Sequence, residues 1–259
     1  MKEKNKFLKT RIINSKEYII EYVAEFEEKI KNNSVHELRE HSMVGEYVDK
    51  DEMVRLYEQK FVGGNGRDYY DMLMAAAPRG ICPLCNKRIS NTLDHYLPKT
   101  KFPTLAVTPI NLVPACSECN KTKTAGIIDR PENQPIHPYF DVIDNEEWLF
   151  ARIHEDNNIF VEFYVNKPDS WNQLLFNRVC NHMLRYDLYS LYSQCAALKI
   201  ADMKGFLKNM IQCGGKEGVE GILKSLKTSH QSICQNSWEI ALYREMYSNN
   251  WFLNTYVLN

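Results

Sequence analysis

Four cysteines in two Cys-x-x-Cys pairs, Cys82/Cys85 and Cys116/Cys119, bracket an Asp94-His95 dipeptide and Asn111, and Asn120 follows the last cysteine directly. Thiolates bind zinc tetrahedrally, and a Cys-x-x-Cys turn brings two sulfurs to one ion from a single knuckle. Two such knuckles leave no position for water, so Cys82, Cys85, Cys116 and Cys119 predict a structural Zn²⁺. The gap from Cys85 to Cys116 holds 30 residues, against the roughly 15–20 of simple zinc ribbons. Something is therefore inserted between the knuckles. There, Asp94 beside His95 offers a hard oxygen ligand and a near-neutral base at almost one point.

Those residues need elements to position them. Residues 89–96 read as a short strand halted by Pro98. Neighbouring side chains of a regular strand face opposite ways, so the Asp-His pair must sit where the strand twists or ends. The second knuckle should start a helix carrying Asn120. Held opposite Asp94, its amide oxygen would help complete an open site for a hard divalent ion. Lys123 falls one turn later on the same face, aimed at a phosphate. Between Arg79 and Arg130 eight basic residues face three acidic ones, a local charge of +5 in a chain of net charge −1. This predicts a focused polyanion site rather than indiscriminate coating of nucleic acid. Lys99, Lys101 and Lys121 are the further candidate phosphate contacts, with solvated lysine as the plainer alternative.

The run Cys-x-x-Cys, Asp-His-x-x-Pro, Asn-Leu-x-x-x-Cys-x-x-Cys-Asn-x-x-Lys resembles the HNH endonuclease family, in the variant whose ββα-metal motif is framed by a zinc site. It stands here as Cys82/Cys85, Asp94-His95 with Pro98, Asn111-Leu112, and Cys116/Cys119-Asn120 with Lys123. The resemblance covers residues 82–126, about a sixth of the chain. It implies a β-hairpin and a helix clasping one catalytic metal. Position by position, His95 resembles the general base, Asp94 a metal ligand, Asn111 the middle Asn that pins the loop and orients the base, and Asn120 the second ligand. Asn120 stands where many members use His, which favours Mg²⁺ or Mn²⁺ over zinc at the catalytic position. The implied activity is metal-dependent hydrolysis of nucleic-acid phosphodiesters, with DNA the favoured substrate. The alternative is a zinc-stabilised nucleic-acid-binding protein whose nuclease centre is inactive or regulatory.

The rest of the chain reads as scaffold. A helix is expected over residues 15–33 behind a Ser15 cap, with Ile19, Val23, Phe26 and Ile30 inward. Helices follow over 34–44, over 49–61 with Met53, Leu56 and Tyr57 inward, and over 68–77. The Gly63-Gly64-Asn65-Gly66 run breaks the chain, and Ala125-Gly126 stops the helix after the second knuckle. Residues 148–153 and 159–165 read as two strands joined through the turn 155–158. One long amphipathic helix is expected over 171–200, with Leu184, Leu188, Leu191, Cys195 and Leu198 on its inner stripe. Shorter helices are expected near 202–213, 216–228 and 236–248. Cys180, Cys195, Cys213 and Cys234 read as buried small apolar residues. His36 and His41 read as surface or cap residues and His137 as a packed loop histidine, while Tyr96 and Phe102 should cover the hairpin.

The expected architecture is α+β and mostly helical: an N-terminal helical region (1–79), the ββα-metal motif with its four-cysteine zinc (80–130), and a loop, β-hairpin and C-terminal helical region (131–259). No apolar run approaches bilayer length and no secretion signal precedes the first helix, so a cytoplasmic, non-membrane protein is expected. Similar HNH proteins with helical flanks act in bacterial defence modules, including Septu-type ones, which implies an ATPase or sensor partner. The chain holds no Gly-x-x-x-x-Gly-Lys-[Ser/Thr] loop, so ATP dependence would come from another chain. A double-strand cut by a one-metal site would favour a homodimer.

Overall fold

The computed structural model describes residues 2–123, 128–155 and 159–258, with side chains from Phe7 onward. The chain divides into two compact units, residues 1–141 and 142–259. The boundaries expected at 80 and 131 both fall inside the first. The architecture is α+β and mostly helical, with three two-stranded antiparallel sheets among the described residues. No described helix is long and apolar enough to cross a membrane.

The first unit opens with α1 (Lys2–Asn14) and α2 (Lys16–Lys31). Tyr22, Phe26 and Ile30 of α2 are buried, at the helical spacing that makes one apolar stripe. Ser15 stands at the N-cap of α2, but its side chain makes no capping bond. Its buried hydroxyl shares its one proton between the carbonyls of Arg11 and Val44 instead. The helix expected over 34–44 is replaced by a single turn, Val35–Glu37, and a hairpin of β1 (Met43–Val44) and β2 (Val48–Asp49). Long-range bonds override local propensity there: Gln134 Oε1 accepts from Val35 N, and Lys101 O accepts from His41 N. Gly45, at φ +57°, supplies the left-handed turn.

Asp49 caps α3 (Lys50–Leu56) in a reciprocal box with Glu52. The helix then widens into a π-turn, Tyr57–Val62, and breaks at the glycine run; Met53 and Tyr57 are buried. After α4 (Arg67–Ala75) come β3 (Thr92–His95), β4 (Leu112–Ala115) and α5 (Ser117–Thr122). Strands β3 and β4 pair antiparallel, Asp94 opposite Val113 and His95 opposite Leu112. Tyr96, Leu97, Phe102 and Leu105 pack with Tyr22, Phe26 and Ile30, so α2 is the floor on which the central stretch rests. The helix stop expected at Ala125-Gly126 lies outside the described residues.

In the second unit β5 (Leu149–His154) and β6 (Phe160–Val165) alternate buried and exposed side chains, with Leu149, Ala151, Ile153, Val161 and Phe163 inward. Residues 156–158 of the expected turn lie outside the described residues. The single helix expected over 171–200 is two: α6 (Gln173–Arg185) and α7 (Leu188–Gln231), separated where Asp187 adopts φ +51°. The break resets the helical phase. Leu188 and Leu191 stay buried, whereas Leu184 and Leu198 are each 69% exposed. Helix α7 runs through both shorter helices expected after 200, with one irregularity at Gly215. Helix α8 (Trp238–Ser248) follows, its Ser237 hydroxyl accepting from Ile240 N. Cys180, Cys195 and Cys234 are half-buried and Cys213 is exposed, so none of these four is a buried filler.

Candidate active site and metal centre

The two cysteine knuckles converge. All four sulfurs lie within 4.8 Å of one another, and all four residues are buried. Cys116 is the N-cap of α5, its sulfur accepting from Cys119 N at 3.4 Å, so the second knuckle is also the helix start. Hydrogen bonds from Cys119 and Cys82 hold the Cys85 thiol well below its ordinary range, while bonding to Cys82 and Cys85 pushes Cys119 up. Four thiols this close cannot share protons comfortably, and a soft divalent cation replacing the protons removes the conflict. The donor set thus fits a tetrahedral Zn²⁺. Arg88 is one of the eight basic residues that give this stretch its local charge of +5. It stands beside the sulfurs, where the negative charge of Cys85, Cys116 and Cys119 raises its pKa against the opposing effect of burial.

His95 ends β3, so its side chain departs where the strand stops. Its Nε2 lies 2.9 Å from the Ala106 carbonyl, which can only accept. The proton therefore sits on Nε2 and the lone pair on Nδ1. The imidazole stands edge-on to the Tyr57 ring, centroids 4.4 Å apart. Burial, reinforced by the charges of Lys99 and Lys123, pushes its pKa down to about 3, so it is neutral at physiological pH.

Asn111 is fully buried and uses its whole amide on one loop. Its Oδ1 accepts from Leu97 N at 2.7 Å, and its Nδ2 donates to Leu97 O at 3.0 Å and Leu105 O at 3.1 Å. The loop it ties down carries Ala106, the partner of His95.

On the other face of β3, Thr92 and Asp94 point toward α5. Asn120 Nδ2 donates to Thr92 Oγ1 at 3.3 Å, so the carboxamide approaches the strand two residues before Asp94 and keeps Oδ1 as its acceptor. A carboxylate and a carboxamide oxygen along one strand face are hard donors of the kind Mg²⁺ and Mn²⁺ prefer.

Lys123 departs from expectation. Rather than reaching outward for a phosphate, it is buried, with Nζ 2.9 Å from Asp94 Oδ2 and also bonded to the His95 carbonyl. The cysteine cluster fixes where α5 starts, and one turn carries position 123 over the end of β3. Lys99 also has protein partners: Glu58 at 3.2 Å, and the face of Tyr57 at 4.5 Å. Lys101 pairs with Glu40 at 2.7 Å, and Lys121 lies exposed on α5. His137 is packed, its Nε2 3.0 Å from Ile110 O. His41, expected at the surface or at a cap, is half-buried and meets Thr104 Oγ1 at 2.7 Å and the Tyr22 ring at 4.6 Å.

Three groups outside the sequence motif contribute to the site: Thr92, Tyr57 and the Ala106 carbonyl. Thr92 was legible in principle, since position i−2 from Asp94 shares its strand face. Nothing in the sequence ties Tyr57 or Ala106 to His95.

Residues 81–126 match the family model described as HNH endonuclease. The chain is 32% identical to protein ea31 of Escherichia phage lambda over 165 residues, 61% of this chain and 55% of that protein. It is 28% identical to Septu protein PtuB of Bacillus thuringiensis over 107 residues, 38% of this chain and 41% of that protein. The chain thus spans about half the length of these curated relatives, or less. No solved structure matches it. With its Asp-His strand end, buried Asn and cysteine-started helix, the chain carries an HNH endonuclease domain at residues 81–126.

Proposed function

We propose that the protein is a metal-dependent endonuclease that hydrolyses phosphodiester bonds of nucleic acid, DNA in preference, with His95 as general base. The observation that carries this reading is the 2.9 Å contact between His95 Nε2 and the Ala106 carbonyl. Donation of Nε2–H to the Ala106 carbonyl leaves a neutral imidazole with its Nδ1 lone pair ready to take a proton from water. Asn111 supports the base indirectly by tying down the loop that presents that carbonyl. Asp94 and Asn120 would hold Mg²⁺ or Mn²⁺, which when bound supplies positive charge to the phosphoryl oxygen and the departing 3′ oxygen. The products would carry 5′-phosphate and 3′-hydroxyl ends. The four cysteines would hold zinc as a structural ion.

Cleavage of plasmid, linear duplex, single-stranded DNA and RNA with Mg²⁺ or Mn²⁺, beside His95→Ala protein, tests the assignment. Cleavage by wild type and none by the variant is expected; equal rates would refute the role of His95. One observation favours a second reading, a nucleic-acid-binding protein with a silent centre: the Asp94 carboxylate is already neutralised by Lys123. Metal-dependent cutting by the purified chain excludes it.

The likeness to a Septu protein is in keeping with a role as effector of a bacterial defence module, for which a separate ATPase or sensor chain would be the partner. The phage relative is matched over a longer stretch, and its name carries no such role. Copurification from the native cell tests the partner: recovery of a fully active lone monomer would exclude it.

A further inference from the structure

The mechanism above uses Asp94 as a metal ligand and leaves its buried partner unexplained. Lysine is rarely buried without cause, because its ammonium loses hydration that a single ion pair recovers only in part. Lys123 is 6% exposed, spans from α5 to the end of β3, and meets both the Asp94 carboxylate and the His95 carbonyl. Its ammonium therefore sits on the carboxylate that the catalytic ion would need. An ion on that carboxylate would share a poorly hydrated site with a fixed positive charge, where repulsion is strong.

We propose that Lys123 is an internal competitor of the divalent ion at Asp94. It satisfies the carboxylate in the metal-free protein and holds metal affinity low, so that loading depends on the negative charge of a nucleic-acid phosphate. This rests on the reading of Asp94 as a ligand. The consequence for regulation is direct: the free protein would be a poor metal binder, and substrate would complete the centre. By linkage, a phosphate that relieves the repulsion tightens the ion, and the ion tightens the phosphate by the same factor.

Mn²⁺ binding to the zinc-loaded full chain, followed by electron paramagnetic resonance and calorimetry, tests the proposal in wild type, Lys123→Met, Lys123→Arg and Asp94→Asn. Lys123→Met should bind Mn²⁺ at least about tenfold more tightly than wild type, because a neutral side chain removes the repulsion. Lys123→Arg, which keeps the charge, should not tighten it. A cleavage-dead His95→Ala protein should bind Mn²⁺ more tightly when a short DNA duplex is present, and adding Lys123→Met should shrink that gain. Should Lys123→Met be too unstable without metal for binding to be read, its melting temperature should rise toward wild type as Mn²⁺ is added; a gap that stays constant overturns the proposal. Equal or weaker Mn²⁺ binding by Lys123→Met also overturns it, leaving Lys123 as an orienting residue. Wild-type Mn²⁺ affinity in Asp94→Asn would be a different failure, since it removes Asp94 from the ligand set.

Discussion

The sulfur cluster and the Asp94–His95 strand end share α5, yet they are built by opposite rules. The cluster uses four identical soft donors, all buried and close enough to close around one ion. The strand end uses one of each type, an imidazole, a carboxylate, a carboxamide and an ammonium, each held by a different neighbour. A closed site can be specified by spacing alone, because any tetrahedron of thiolates serves. An open site must aim each group separately, so it borrows partners from loops and helices far along the chain.

The contrast can be broken at four points. Cys119→Ser, or stripping the metal with a chelator, should have the largest effect. Structural zinc sites contribute on the order of 10 kcal/mol to folding, so β3, β4 and α5 should lose cooperative structure by circular dichroism as zinc content falls to zero. His95→Ala should leave zinc content and the fold intact while lowering the cleavage rate by about 100-fold or more. A comparable loss of structure would mean the two sites are not separable. Asn111→Ala removes three buried hydrogen bonds and should cost about 3 kcal/mol by urea denaturation. It should also slow cleavage, because the loop presenting Ala106 loosens. Thr92→Val should be mildest, under about 1 kcal/mol, with a several-fold loss of cleavage as Asn120 loses its hydroxyl partner. A Thr92→Val enzyme with wild-type rates would show that Asn120 needs no orientation.

Legibility followed the same divide. The cysteine pairs, the strand before Pro98 and the helix begun by Cys116 could be read from residue type and spacing, as could β5 and β6 from alternation. Helix α1 went unread. The helix expected over 34–44 gives way at its end to the hairpin Met43–Asp49, because that pairing depends on Gly45 and on bonds to residues far along the chain. The break at Asp187 was missed because Tyr186-Asp187 carries neither Gly nor Pro, so nothing local announced a left-handed residue. Leu184 lies off the buried face of α6, and Leu198 lies off the α7 stripe of Leu188, Tyr192, Ala196 and Ile200.

From its amino acids alone this chain declares a four-cysteine cluster framing an HNH-like motif, since donor type and interval suffice to state which atoms must meet. Which way each group points was decided only in three dimensions. The imidazole's tautomer depends on a carbonyl 11 residues away, and the lysine's partner on where the sulfur cluster sets the helix against the strand. Spacing encodes proximity along the chain, whereas hydrogen-bond direction and charge pairing depend on which surfaces packing brings together.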